Sequence, residues 1–544
     1  FTVALGFSSH RRLSWFPEAT IAMLGGVCLA RVFYFPLTGQ LITFDPQFFF
    51  KLLLPPIVFK SGFEIKLNIF FRNFTTIMLF ANLGTVINIL VVCFVMIVAY
   101  LTQSSPQMSI SESLVFGSVV SATDPVTTVA VFERLKVEEN LYVIVVGVSI
   151  LDDAISVIVF NLFSKYLTEG SITALESLIA VVLFLVKLVG SMCLGYILGA
   201  LFCCYLRELK KSFFPSPSSE AAANPPLLLW LAFFLFIYCS YNIADAVYLS
   251  GIISSLFAGV AVNKYLPVLL QDQPTSSHSI ESLRGFFGTW ASIVEALLFF
   301  YMGASMFNDS FKNMVDVGFF LWSNFAFLVG RVAQIYPLSY LLNKYRTISH
   351  TKGSNSCASS WLSHTGVALP LTWQHMTLVA GLRGPIAFAS AVLYPTDASV
   401  SSGTIRSSTG LTVFLSTFLL GAMTPSALAY LNIPRYGAHS PLSLEPMGRN
   451  HYSPTRQFTP PGGSLVVVIA DEDVEESCGD SECKKTQESD LQISGLLTWL
   501  SQLDNTIQIR LSSPSVEVLQ QDTLHTASRS IRMSPMHMVL SSEL

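Results

Sequence analysis

Charge is what this chain has least of. Only 12% of its 544 residues are Asp, Glu, Lys or Arg, against 52% hydrophobic residues and a mean hydropathy of +0.56. That balance is far from a soluble domain's and excludes one, so the chain belongs in lipid. Its nine cysteines form no disulfide framework. Six sit inside apolar runs (Cys28, Cys93, Cys193, Cys203, Cys204 and Cys239), and Cys478 and Cys483 lack the second pair and the histidines that a zinc site needs, which leaves free thiols. An initial Met is missing too. The chain opens on Phe1, the short apolar piece before Arg11 reads as the remnant of one more helix, and no signal peptide can be judged. A net charge of −4 sums an acidic tail and basic loops and says little about partners; no nucleic-acid partner is expected.

What is present is apolar sequence in long runs. Stretches able to cross a hydrocarbon core of about 30 Å recur near residues 17–36, 46–63, 74–101, 111–132, 141–164, 175–205, 227–247, 248–263, 287–307, 317–342, 375–394 and 408–431. The expectation is an all-α polytopic membrane protein of about 12 complete transmembrane helices plus a truncated first one. Basic residues alternate between the connections as the positive-inside rule requires. One side holds Lys66, Arg72, Arg134, Lys136, Arg207 and Lys264 among others, and the opposite side only Lys165, Lys312 and Arg406. Beyond Pro434, Ser, Pro, Gly and charged residues replace the apolar runs. We therefore read residues 1–433 as the membrane domain and 434–544 as a largely disordered cytoplasmic regulatory tail, its acidic stretch from Asp471 to Glu482 too polar to order itself. Leu496, Leu497, Leu500 and Leu503 fall at helical spacing within it, which fits a transient surface helix. Asn308-Asp309-Ser310 is a glycosylation sequon on the outer or lumenal side.

Two distant spans are each interrupted by proline, one at Asp124-Pro125 and the other at Gly384-Pro385 just after Arg383. They run in opposite directions, the layout of inverted repeats with two broken helices crossing at the midplane. Prolines also simply kink membrane helices. A break leaves backbone groups without partners, tolerable at that depth only inside protein or beside a wet cavity. Half-helix ends carry partial charges that would stabilise Asp124 at a positive end and Arg383 at a negative one.

Carboxylates in mid-span are the strongest functional signal. Each costs roughly 2.5–3.5 kcal/mol on insertion scales, yet Asp152 and Asp153 interrupt the apolar stretch from Leu141 to Phe163 and Asp124 the preceding one. Successive helical residues point about 100° apart, so the two neighbours need different partners. One can face water and take a hard cation through oxygen ligands while the other pairs with a basic group, for which Arg383 is the best candidate. Desolvation and a like-charged neighbour favour the neutral carboxyl, a nearby Arg the ionised one, so a proton and a metal ion compete for one site. Glu295 either faces that site or pairs with another helix. Thr123 and Ser149 either add neutral oxygens or bond backbone carbonyls. For Lys60, near a helix end, snorkelling to the interface is the default.

At these residues the sequence resembles the eukaryotic sodium/proton exchangers of the monovalent cation/proton antiporter superfamily. The resemblance rests on LLPPIVFKSGF at Leu53 to Phe63, SATDPVTTVAVFERL at Ser121 to Leu135, GVSILDDAISVIVF at Gly147 to Phe160, VEALLFFYMGASMF at Val294 to Phe307 and AGLRGPIAFA at Ala380 to Ala389. YPLSYLLNKYR at Tyr336 to Arg346 is similar to the Golgi and endosomal forms. The resemblance implies a secondary active antiporter, not an enzyme, exchanging Na+ or K+ for H+ by alternating access, with no cofactor beyond its cargo. It makes Asp153 the carrier of transported Na+ or proton, Asp124 and Thr123 parts of the broken-helix site, and Glu295 accessory. It also implies a homodimer among membrane lipids, in the plasma membrane or a Golgi or endosomal one, whose tail meets cytosolic regulators. The chain departs from the family pattern at Asp152, usually Asn, at Val148, usually the Glu that pairs with the arginine at position 383, and at Lys60, commonly acidic. The expected consequence is that Asp152 takes over the pairing with Arg383. Two other classes fit the residues alone: a proton-coupled solute symporter, and a non-transporting membrane sensor or scaffold.

Overall fold

The computed structural model describes residues 17–34, 42–102, 108–124, 126–169, 174–213, 227–270, 276–306, 316–352, 368–395 and 402–434. The expected N-terminal remnant, Pro125, the Asn308 sequon and the tail with its cysteines and leucine row lie outside the described residues. The chain divides into the units Phe1–Tyr436 and Gly437–Leu544, and every described residue belongs to the first.

An apolar chain in lipid must close its backbone hydrogen bonds within each segment, and the described residues are helical nearly throughout, without a β-sheet. Helix α1 (Glu18–Cys28) runs on into a π-helical turn at Leu29–Tyr34. A short helix (Pro46–Phe48) and a π-helical turn (Phe49–Leu53) lead into α2 (Leu54–Glu64). Pro56 has no N–H to offer the carbonyl one turn back; that carbonyl, on Leu52, accepts from the Tyr238 hydroxyl at 3.1 Å instead. After Leu67–Arg72, Phe74–Leu79 and a third π-helical turn (Phe80–Gly84) comes α3 (Thr85–Leu101).

Helix α4 (Ile110–Ser121) starts at a capping box, with the Glu112 N–H donating to Ser109 Oγ at 3.2 Å and the Ser109 N–H to Glu112 Oε2 at 2.8 Å. It is followed by α5 (Val126–Leu135), α6 (Glu139–Glu169), α7 (Ala174–Phe213), α8 (Leu227–Ala246), α9 (Gly251–Leu270), α10 (Ser276–Met306) and α11 (Val317–Lys352). The last are α12 (Leu371–Val379), α13 (Pro385–Val392) and α14 (Ser402–Tyr430).

Each of the twelve predicted spans finds a helical counterpart, but only seven among the described residues are helices long and apolar enough to cross a membrane, one of them, Phe74–Leu101, through a π-helical turn. The others are divided by π-helical turns, by the two proline breaks, or are shorter, as at Trp230–Ala246. Boundaries move as well, since α9 starts at Gly251 and α10 at Ser276, where polar residues mask the helix ends in the sequence.

Without a hydrophobic force between helices in lipid, close approach depends on small residues. Between α1 and α10, a Cβ on Gly26 would lie 2.0 Å from the Phe300 carbonyl oxygen and one on Gly303 2.2 Å from that of Met23. Gly62 and Gly259 do the same for α2 and α9. Burial then ranks the helices. The apolar window of α6 is 94% buried and that of α7 17% buried, so α7 turns Val181, Val182, Leu185 and Val186 outward while α6, with both aspartates, is enclosed by protein.

Candidate functional site

Helices α4 and α12 both stop inside the protein, and the extended residues that follow them cross. The Asp124 N–H donates to the Leu382 carbonyl at 3.0 Å in an antiparallel bridge. Gly384 is required there, because a Cβ on it would sit 2.2 Å from Asp124 Cβ. The break following α4 has a chemical cause in the sequence, since a residue before proline avoids the helical region; Pro385 begins α13, where its missing N–H costs nothing.

Arg383, 1% exposed, sits in the second break. Its Nη1 donates to the Ala122 carbonyl at 2.8 Å, at the negative end of α4 as its charge demands. Its guanidinium lies 4.2 Å from the centre of the Phe327 ring. The backbone around it is tied to α14: the Arg383 N–H donates to Ser416 Oγ at 3.2 Å and Thr417 Oγ1 donates to its carbonyl at 3.3 Å.

Asp152 and Asp153 face different surroundings, as their angular separation requires. Asp152 is fully buried and accepts from Thr85 Oγ1 at 2.5 Å, Thr123 Oγ1 at 3.3 Å and Gln334 Nε2 at 3.4 Å. Its ion-pair partner is Arg331 of α11, Nη1 to Oδ2 at 3.6 Å. The expected Asp152–Arg383 pair is thereby corrected: α6 presents Asp152 to α3 and α11, and the Arg383 guanidinium is directed at the Ala122 carbonyl. Arg331 is itself held by Gln334 Oε1 and the Thr377 carbonyl, each at 3.0 Å. The sequence carried the signal for Arg331 as a mid-span arginine in the tenth predicted span, which runs from Val317 to Leu342. That signal equals the one at Arg383 but has no proline beside it to draw attention.

Asp153 lines a cavity of about 260 Å³ together with Asp124, Glu295, Lys60, Glu64 and Glu133. Glu18 and Arg134, paired at 3.3 Å with both side chains 54% exposed, stand at the open end. Glu295 therefore faces the site. Thr123 serves Asp152 through its hydroxyl, while Ser149 is buried and off the cavity wall. Lys60 does not snorkel to the interface but lines the same cavity and pairs with Glu64 at 3.7 Å. Among the described residues no three His, Cys, Asp or Glu side chains converge as a resident metal centre; the carboxylates are strung along a passage instead. Glu64 and Glu133, which the sequence reading passed over, sit near helix ends where a charge looks like ordinary solvation.

An all-helical, multi-pass membrane protein in which two broken helices cross beside buried carboxylates is the class that fold and site define. Residues 1–430 match the family model described as "Sodium/hydrogen exchanger, transmembrane". The chain belongs to the sodium/hydrogen exchanger family. Among relatives, it is 31% identical over 421 residues to Sodium/hydrogen exchanger 1 of Dictyostelium discoideum, covering 77% of this chain and 56% of that protein. It is 30% identical to Sodium/hydrogen exchanger 8 of Homo sapiens, covering 79% and 69%. The chain thus spans little more than half the length of several curated relatives it matches. In fold it is similar to the sodium proton antiporter MjNhaP1 of Methanocaldococcus jannaschii, with a TM-score of 0.52 at 16% identity over 79% of this chain and 96% of that one.

Proposed function

We propose that this protein is a secondary active antiporter that exchanges Na+, with K+ as a competitor, for H+ across its membrane by alternating access. The observation that carries this reading is Asp153 on the wall of a cavity that reaches one face of the protein, directly beside the Asp124–Leu382 crossing. There its carboxylate holds either a hydrated or partly stripped monovalent cation or a proton, and the site changes the side it faces only when occupied. Asp124 and Glu295 add negative charge along the way in, and Asp152, held by Arg331 away from the cavity, carries no cargo. A single working carboxylate moves one cation against one proton and no net charge.

Our reading places the basic connections, and the tail, in the cytoplasm, so the cavity opens inward. The protein works as a homodimer in the plasma membrane or a Golgi or endosomal one, with the tail as the contact for cytosolic regulators. The test is proton flux in vesicles driven by a sodium gradient. Asp153→Asn abolishes the flux while the protein stays folded in the membrane; flux that survives this change refutes the assignment.

A further inference from the structure

The cavity contains a cation of its own. Lys60 stands one turn before the end of α2, with its side chain 18% exposed and its ammonium 3.7 Å from Glu64 Oε2. Besides Asp153, Asp124 and Glu18, three carboxylates share the wall with it: Glu64 on its own helix, Glu295 on α10 and Glu133 on α5. Of these, Glu133 accepts from the Tyr142 hydroxyl at 2.9 Å, and Glu295 receives no hydrogen bond among the described residues. At the mouth, Arg134 and Glu18 offset each other. Any cation travelling from the mouth to Asp153 therefore passes carboxylates whose attraction is partly cancelled by a single ammonium.

An ammonium on a flexible four-carbon stem is a compact point charge with three rotatable donors. It resembles a monovalent metal ion in charge and differs in being unable to leave. In a cleft with low-dielectric walls, one fixed charge changes the local concentration of counter-ions and their rate of entry several-fold.

We infer that Lys60 is a tethered competitor that occupies the outer carboxylates and sets the apparent affinity for the transported cation from the cavity face alone. This rests on the exchanger reading. The tether acts only on ions entering through this cavity, so the two sides of the membrane differ in the cation concentration at which transport half-saturates.

The experiment compares wild type, Lys60→Met and Lys60→Arg in proteoliposomes of defined orientation, with the KM and Vmax for Na+ measured from each face. Lys60→Met lowers KM by about fivefold to tenfold from the cavity face, as loss of one unit charge a few ångströms from the path implies, and leaves Vmax and the other face unchanged. Lys60→Arg keeps the wild-type KM. Lys60→Gln repeats the comparison with a polar neutral side chain, in case Met disturbs folding. A KM unchanged from the cavity face, or one shifted equally from both faces, overturns the inference while the exchanger reading stands. A wild-type protein without Na+-driven proton flux overturns that reading and the inference with it.

Discussion

Two chemically identical neighbours, Asp152 and Asp153, have opposite fates in this protein, and the difference is set by what surrounds each carboxylate. Asp152 is enclosed by Thr85, Thr123, Gln334 and Arg331, whereas Asp153 opens on the cavity. Removing one partner of a buried ion pair leaves the other charge unpaired, at a cost of about 3–5 kcal/mol. Asp152→Asn is therefore expected to lower the melting temperature of the purified protein sharply. Asp152→Asn combined with Arg331→Met recovers much of that loss, because no uncompensated charge remains. Equal melting temperatures for wild type and Asp152→Asn would show that Arg331 does not depend on this carboxylate. The sequence made the division between the neighbours legible, since adjacent helical positions cannot share an environment. It did not make the partner legible, because two arginines lie in mid-span and only the folded chain, which brings Arg331 to Asp152, decides between them.

At the scale of the element, the breaks matter more than the helices. Proline marked both in the sequence, and their crossing was foreseen from opposite orientations. The π-helical turns at Leu29–Tyr34, Phe49–Leu53 and Phe80–Gly84 were not foreseen, because an extra residue in a turn leaves hydrophobicity unchanged. Tolerance of the crossing is narrow. Gly384→Ala places a methyl group against Asp124 Cβ and forces the two segments apart. Overpacking of this kind costs roughly 1–3 kcal/mol. Here it also displaces the backbone beside Asp153, so ion exchange is expected to fall to background with the protein still present in the membrane. Gly285→Ala on α10, with nothing within 4 Å of the new methyl, serves as the comparison and retains full exchange. Full activity in Gly384→Ala would mean that the crossing is not part of the transport site.

For the molecule as a whole, alternating access demands that elements on either side of the cavity move relative to each other. Glu18 of α1 and Arg134 of α5 meet across its mouth at 3.3 Å, on helices far apart in the chain. Cysteines at both positions, in a background without the native thiols, are expected to react with a short bifunctional reagent. Exchange stops when they are linked and returns when a cleavable linker is reduced; uninterrupted exchange in the linked protein would exclude motion between these two helices. The membrane class and the all-helical architecture were readable from composition and pattern. The cavity was not, because it draws its wall from α1, α2, α5, α6, α9, α10, α13 and α14, which only the folded chain brings together.

The Asp124–Leu382 hydrogen bond joins peptide groups from opposite ends of the membrane domain. During translation, the first broken helix enters the bilayer long before the ribosome has made the second. Until then the Leu382 carbonyl that accepts from its amide does not exist. Completion of the crossing must therefore wait for nearly the whole domain to be synthesised. A chain cut short ahead of Leu382 would lack the acceptor that pins the first break to the second.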